Sequence, residues 1–346
     1  MSDILVHNTT ETFNITSNST EEASNPNASA IIIIVYIAIM LISSAGNLLV
    51  LAVVYRNESK RMRTTINFFI VNMSCSDLLI TFCNIPLAIS GVATSNNVPF
   101  DGVLGRIYCG VTTLLFYLSI EVSLMSLVSI TVDRFLAVFN PFNKLITTSR
   151  AAFMIAIIWL VAFGFTTPLA IHSEPYQNQY FRSCLFRNLS WKSFRDYMIS
   201  GLTVFVVLPL LLMIILYSSI VVKLFRQKTP GELSVIFQEQ RNRRNRKVLL
   251  MLFIVVTVTI VCWLPYFSVF TACVLADEVE SCYLDLYFQI LAFANCALNP
   301  CVYIIFIESF REGFYRILSS VFCRIKREVN PAGPAHHSYQ YLSISP

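Results

Sequence analysis

Asp77 stands in the middle of a long apolar run, 66–92, where an isolated carboxylate costs about 2.5–3.5 kcal/mol to place inside a membrane. Asn47, Ser123, Asn295 and Asn299 sit in comparable runs elsewhere in the chain. Asn295 and Asn299 are four apart, so a helix presents both on one face. If the five groups converge, they form a small cavity of oxygen ligands around one carboxylate. Such a donor set suits water and a hard cation such as Na+. The alternative is a hydrogen-bonded network that only joins helices, at about 0.6 kcal/mol per bond. Glu121 poses a similar choice: it binds a ligand cation, or it is a protonated carboxyl bonded to the fourth or fifth helix. No nucleophile–base set and no metal-spaced His/Cys cluster accompanies the four histidines, so neither enzymatic activity nor a cofactor is expected beyond Na+.

The elements that position these groups follow from composition. The 346 residues are 55% hydrophobic and only 13% charged, with a mean hydropathy of +0.64. A water-soluble surface needs far more charge. Seven stretches are long enough for a membrane helix of about 20 apolar residues: 30–55, 66–92, 108–138, 151–171, 198–222, 248–275 and 284–307. None alternates with the two-residue period of a membrane barrel. The expected fold is all-α, a seven-helix transmembrane bundle. Pro86, Pro168, Pro209, Pro265 and Pro300 each remove a backbone donor from a span, giving kinked helices suited to rearrangement.

Charge sets the orientation. Residues 1–29 hold no Lys or Arg, whereas the first and fifth loops and the tail are rich in both, including the cluster Arg241–Lys247. The N-terminus is therefore expected outside, despite Arg182, Arg187, Lys192 and Arg195 in an outer loop. The net charge of +5 reflects this bias rather than nucleic-acid affinity. Sequons at Asn8, Asn14, Asn18 and Asn27 suit a glycosylated ectodomain. Residues 1–29 lack the basic start and apolar run of a cleavable signal, so the first span is expected to serve for targeting. The domain division is an N-terminus of 1–29, a bundle of 30–307, an amphipathic helix of 308–323 and a tail of 324–346. Cys109 and Cys184 both face the oxidising side on this topology, and a disulfide is expected; Cys273 and Cys282 are a candidate second pair.

The ordered motifs resemble the rhodopsin-like G-protein-coupled receptors over residues 30–325. They are Gly46-Asn47-Leu48-Leu49-Val50 in span one, Asn72 with Asp77-Leu78 in span two, and Cys109 with Asp133-Arg134-Phe135 in span three. Trp159 follows in span four, Pro209 with Tyr217 in span five, Cys262-Trp263-Leu264-Pro265 in span six and Asn299-Pro300 with Tyr303 in span seven. Phe310-Arg311 opens the amphipathic helix. The resemblance implies a sodium pocket at Asn47, Asp77, Ser123, Asn295 and Asn299, with Cys296 in place of a serine. It implies an Asp133–Arg134 pair in the inactive state, and a swing of Arg134 toward Tyr217 and Tyr303 on activation. Trp263 and Pro265 would be the switch beneath the ligand, and Cys323 a palmitoylation site. Four departures stand out: Phe135 for tyrosine, Asn245 for an acid, Thr259 for an aromatic below Trp263, and Val98 for the outer-loop tryptophan before Pro99-Phe100.

The ligand is read from what the outer half offers. Span seven has no lysine for retinal, and outer span three has no aspartate for an amine, since it reads Leu114-Leu115-Phe116-Tyr117. Phe116, Tyr117, Glu121, Trp263, Tyr266, Phe267, Phe270 and Gln289 would line a mostly apolar pocket. Asp277, Glu278, Glu280 and Asp285 form an acidic strip at the rim that attracts a basic or amidated peptide, or is simply a solvated loop. Cys262 through Tyr266, Pro86 and the long outer loop resemble neuropeptide receptors most. An amine or lipid receptor is the alternative, and a channel or transporter a more distant one, disfavoured because no internal repeat is visible and only ten glycines occur. Heterotrimeric G proteins, arrestin (through Ser338, Tyr339, Ser343 and Ser345) and the lipid bilayer are the expected partners.

Overall fold

The computed structural model describes residues 26–56, 64–94, 100, 102–140, 145–177, 182–186, 190–226, 232–276 and 286–329. Asn8, Asn14, Asn18, Cys282, the strip 277–285 and the serines of the tail lie outside the described residues.

Seven helices are long and apolar enough to cross a membrane. They are α1 (Pro26–Arg56), α2 (Thr65–Ala93), α3 (Gly102–Phe139), α4 (Thr148–His172), α5, which runs from Trp191 to Arg226, α6 (Glu232–Ala276) and α7 (Leu286–Phe306). An eighth, α8 (Glu308–Val329), follows α7 directly. Between α4 and α5 lies a hairpin of β1 (Ser173–Gln177) and β2 (Arg182–Phe186), antiparallel with Pro175 opposite Cys184. The disulfide Cys109–Cys184 ties β2 to the start of α3, with Cα atoms 5.5 Å apart. Arg106 and Glu174 add an ion pair at 2.9 Å between α3 and β1.

Helix starts have local causes. Thr64, Thr147 and Ser190 each hold an extended backbone and accept the N–H of the third residue onward, at 3.2–3.3 Å, capping α2, α4 and α5. Pro26 occupies the first position of α1, where its missing N–H is harmless. Pro86 and Pro209 act differently from the other three span prolines. Immediately before each, the helix widens into a π turn, Ile80–Asn84 in α2 and Thr203–Val207 in α5. Pro168, Pro265 and Pro300 lie inside continuous helix.

Several boundaries differ from the expected ones. α1 begins at Pro26, so Asn27, expected in the N-terminus of 1–29, stands exposed in its first turn. α6 starts at Glu232, sixteen residues before the apolar stretch, because a polar helix carries no hydropathy signal where it leaves the membrane. α8 continues to Val329 instead of ending at 323, and Cys323 falls within it.

Packing divides into two main clusters. Toward the α8 end, Phe69, Ile70, Met73, Leu127, Ile130, Tyr303 and Phe310 interlock. Toward the disulfide end, Tyr36, Ile80, Ile120, Trp263, Tyr266 and Phe293 do so. Gly46 lets α1 press onto α7: a Cβ there would lie 2.8 Å from the Pro300 ring. Leu160, Phe153 and Ile215 point outward at 61–71% exposure, which suits lipid and not water.

Candidate ligand cavity and helix switch

The aromatic residues expected to line a pocket do converge. Phe116 of α3 sits edge-on to Trp263 at 6.1 Å and to Tyr266 at 5.8 Å, both of α6. Phe267 stacks on Trp263 at 5.7 Å, and Phe270 on Tyr266 at 6.4 Å. Phe116 also meets Tyr117 at 5.3 Å and Phe293 of α7 at 6.2 Å. One continuous aromatic floor therefore spans α3, α6 and α7, with Trp263 buried at its base. Gln289 of α7, also expected in the lining, is tied to a helix that sequence reasoning did not connect with it. Its Oε1 accepts the hydroxyl of Tyr36, from α1, at 3.0 Å. Tyr36 is fully buried, but in a helix apolar on every face no spacing marks it out.

Glu121 faces α4 instead. Its Oε2 accepts the Thr166 hydroxyl of α4 at 3.2 Å, and only 6% of the residue is exposed. It lines a separate cleft between α3, α4, α5 and α6, shared with Tyr117, Phe267 and Phe270. Phe165 and Tyr197 of the same cleft carried no signal in the sequence.

Below Trp263 the polar groups gather. Asn299 donates to the Asp77 carboxylate at 3.0 Å, and the Cys296 thiol also faces that carboxylate. Asn47 donates to the Cys296 carbonyl at 3.0 Å and to the Ser43 carbonyl at 3.0 Å, while Ser43 shares a 2.6 Å hydrogen bond with Thr81. The side-chain oxygens of Asn47 and Asn299 are buried with no protein donor among the described residues. Asn295 is turned differently: its Oδ1 accepts the Thr259 hydroxyl of α6 at 3.2 Å. Ser123 is buried on α3. The departure at Thr259 thus has a structural consequence, a polar α6–α7 tie directly below Trp263.

A second knot joins three helices. Asn72 of α2 donates to Ser126 of α3 at 2.8 Å and accepts the Trp159 indole N–H of α4 at 2.8 Å. Both motif residues were visible in the sequence, but not that one amide connects them.

At the α8 end, Arg134 grips its neighbour Asp133 through Nη2 at 2.5 Å and Nε at 3.1 Å. The Tyr217 hydroxyl is buried beside Thr131 without a hydrogen bond of ordinary geometry. The Tyr303 hydroxyl rests on the Met73 sulfur at 3.7 Å. Among the described residues, neither tyrosine hydroxyl is bonded to Arg134. Lys247 of α6 pairs with Glu308 of α8 at 2.8 Å, on the surface, and holds that carboxyl below the usual carboxylate range.

Comparison with known sequences agrees with this architecture. The pattern of the 7 transmembrane receptor (rhodopsin family) matches residues 46–303. The QRFP-like peptide receptor of Branchiostoma floridae is 32% identical over 316 residues, covering 88% of this chain and 80% of its own length. Neuropeptide FF receptor 2 of Rattus norvegicus is 30% identical over 309 residues, with 84% and 72% covered. The RYamide receptor of Drosophila melanogaster is 29% identical over 302 residues, with 83% and 63% covered. A match over most of the bundle, together with seven membrane-length helices in the family's order, places this chain in the rhodopsin family of seven-transmembrane receptors.

Proposed function

We propose that the chain is a plasma-membrane receptor that binds an extracellular peptide and activates heterotrimeric G proteins. The observation that carries the peptide is the width of the aromatic floor. It runs from Phe293 through Phe116 and Trp263 to Phe270, and it offers a long ligand several anchoring surfaces in place of one charged post. The similar sequences are receptors named for peptides. The family is one of receptors and not enzymes.

In this reading the disulfide end is extracellular, with glycans at Asn8, Asn14, Asn18 and Asn27, and the α8 end is cytoplasmic. The division is an N-terminus to 29, a receptor bundle of 30–307, α8 and a tail that recruits arrestin, with Cys323 palmitoylated. Peptide pressing on the floor shifts Trp263, and the Pro265 break lets the inner part of α6 turn outward. Arg134 then leaves Asp133 for the Tyr217 and Tyr303 hydroxyls, and the G protein enters the opening. A ligand drives this only through its tighter binding to the open state. The groups below Trp263 fit a Na+ ion: one carboxylate, Asp77, lies among uncharged oxygens, and the Asn47 and Asn299 oxygens have no protein donor. Ser123 and Asn295 would complete the set, Asn295 after release by Thr259. Na+ there would supply the counter-charge that the Asp77 carboxylate otherwise lacks and favour the closed bundle.

The test is nucleotide exchange on purified G proteins by the receptor in nanodiscs, challenged with a library of amidated peptides. The reading expects peptides that accelerate exchange in the wild type. Exchange evoked by amines or lipids, with no active peptide, would contradict it.

A further inference from the structure

The cleft beside the aromatic floor has a composition that calls for a particular guest. Its cavity volume is about 60 Å³, room for a group of a few heavy atoms and not for a whole ligand. Its wall on α4 and α5 is aromatic: Phe165 stacks on Tyr197 at 4.7 Å and lies 5.0 Å from Phe205. Gly201 allows that packing, since a Cβ there would come within 2.8 Å of the Phe165 ring. Phe267 and Phe270 close the α6 side.

Glu121 is the one carboxyl in this lining, and among the described residues no Lys, Arg or His lines the cleft with it. Among the described residues its hydrogen-bond partner is the neutral Thr166 hydroxyl. Tyr197 gives its own proton to the Phe165 carbonyl and so does not donate to Glu121. A carboxyl removed from water stays protonated unless a counter-charge and further donors offset the desolvation of its ionised form. Here the protein supplies one donor and no cation.

We propose that the cleft receives the guanidinium of an arginine side chain of the peptide ligand, paired with Glu121. This deepens the peptide-receptor reading and rests on it. The planar fork of guanidinium satisfies a carboxylate with two hydrogen bonds, and its faces stack on aromatic rings. Lysine suits the cleft less well, because its compact ammonium is strongly hydrated and surrenders more water to enter. Tyr117, Phe267 and Phe270 border both the cleft and the aromatic floor, so one peptide reaches both.

The experiment uses the full-length receptor in nanodiscs with two small probes of one shape, 4-phenylbutylguanidine and the neutral 4-phenylbutylurea. The expected result is a raised thermal midpoint with the guanidine and none with the urea. In Glu121→Gln, the guanidine concentration needed rises at least about tenfold. Equal stabilisation by both probes, or a guanidine effect undiminished in Glu121→Gln, overturns the proposal, the first by showing an apolar occupant. If Glu121→Gln does not fold, the wild type decides alone: replacing arginine by citrulline in activating library peptides must weaken them at least about tenfold, and unchanged potency overturns the proposal. A library with no active peptide defeats the underlying reading instead, and the peptide source of the guanidinium with it.

Discussion

One part of the bundle is knotted by hydrogen bonds between helices, whereas α5 and α6 are held mainly by apolar contact. Asp77, Asn72, Asn47 and Tyr36 connect α1, α2, α3, α4 and α7 through buried side-chain bonds. Burial alone does not draw this line: the most apolar stretch is 67% buried in α3 and 61% in α2, but 22% in α1 and α4 against 39% in α6 and 17% in α5, so the bonds make the distinction. Apolar side chains slide past one another without a fixed partner, but a buried amide that loses its bond is left unsatisfied. The difference separates a frame from its moving parts. α5 and α6 can shift at modest cost while the frame holds Asp77, Trp159 and Arg134 in register. The exceptions are few: Thr259 bonds α6 back to the frame at Asn295, Tyr197 of α5 bonds the Phe165 carbonyl of α4, and Lys247 of α6 pairs with Glu308 of α8 at the surface.

The comparison can be strained in order of expected effect. Cys109→Ala cuts the hairpin loose from α3 and releases a closed loop of 75 residues. It should cost about 2–4 kcal/mol, read as a lower thermal midpoint and reduced surface expression. Arg134→Ala removes the group that moves between frame and opening. Peptide-driven nucleotide exchange should fall on the order of 100-fold with peptide binding retained. Asn72→Ala breaks the knot of α2, α3 and α4 and strands the Trp159 N–H, costing about 1–3 kcal/mol of stability with little change in the peptide concentration that half-activates exchange. Thr259→Val is the smallest change and the most selective. Losing one bond of about 0.6 kcal/mol should raise basal exchange about threefold and leave the thermal midpoint nearly unchanged.

The sequence made the frame legible where physics leaves a periodic or compositional mark. Twenty apolar residues per span announced the seven helices, and the 266–267–270 spacing announced the aromatic face of α6. Asp77 and Asn299 were conspicuous because lipid forbids such groups. What escaped notice depended on partners distant in the chain. Glu121 was visible but Thr166 was one threonine among many, and Tyr36 had no polar neighbour to distinguish it. The departure at Thr259 was plain, while its acceptor on α7 required the packed bundle. The polar start of α6 and the far end of α8 left no hydropathy edge to read.

The claim that α6 moves against a fixed frame can be measured directly by distances between spin labels. Labels at the exposed positions Tyr55 of α1 and Ala152 of α4 report on the frame, and Ala152 with Leu250 of α6 reports on the opening. With an activating peptide and nucleotide-free G protein bound, the account predicts that the Ala152–Leu250 distance lengthens while Tyr55–Ala152 stays constant. A Tyr55–Ala152 change as large as that at Leu250, or no change at Leu250 during full exchange activity, would contradict it.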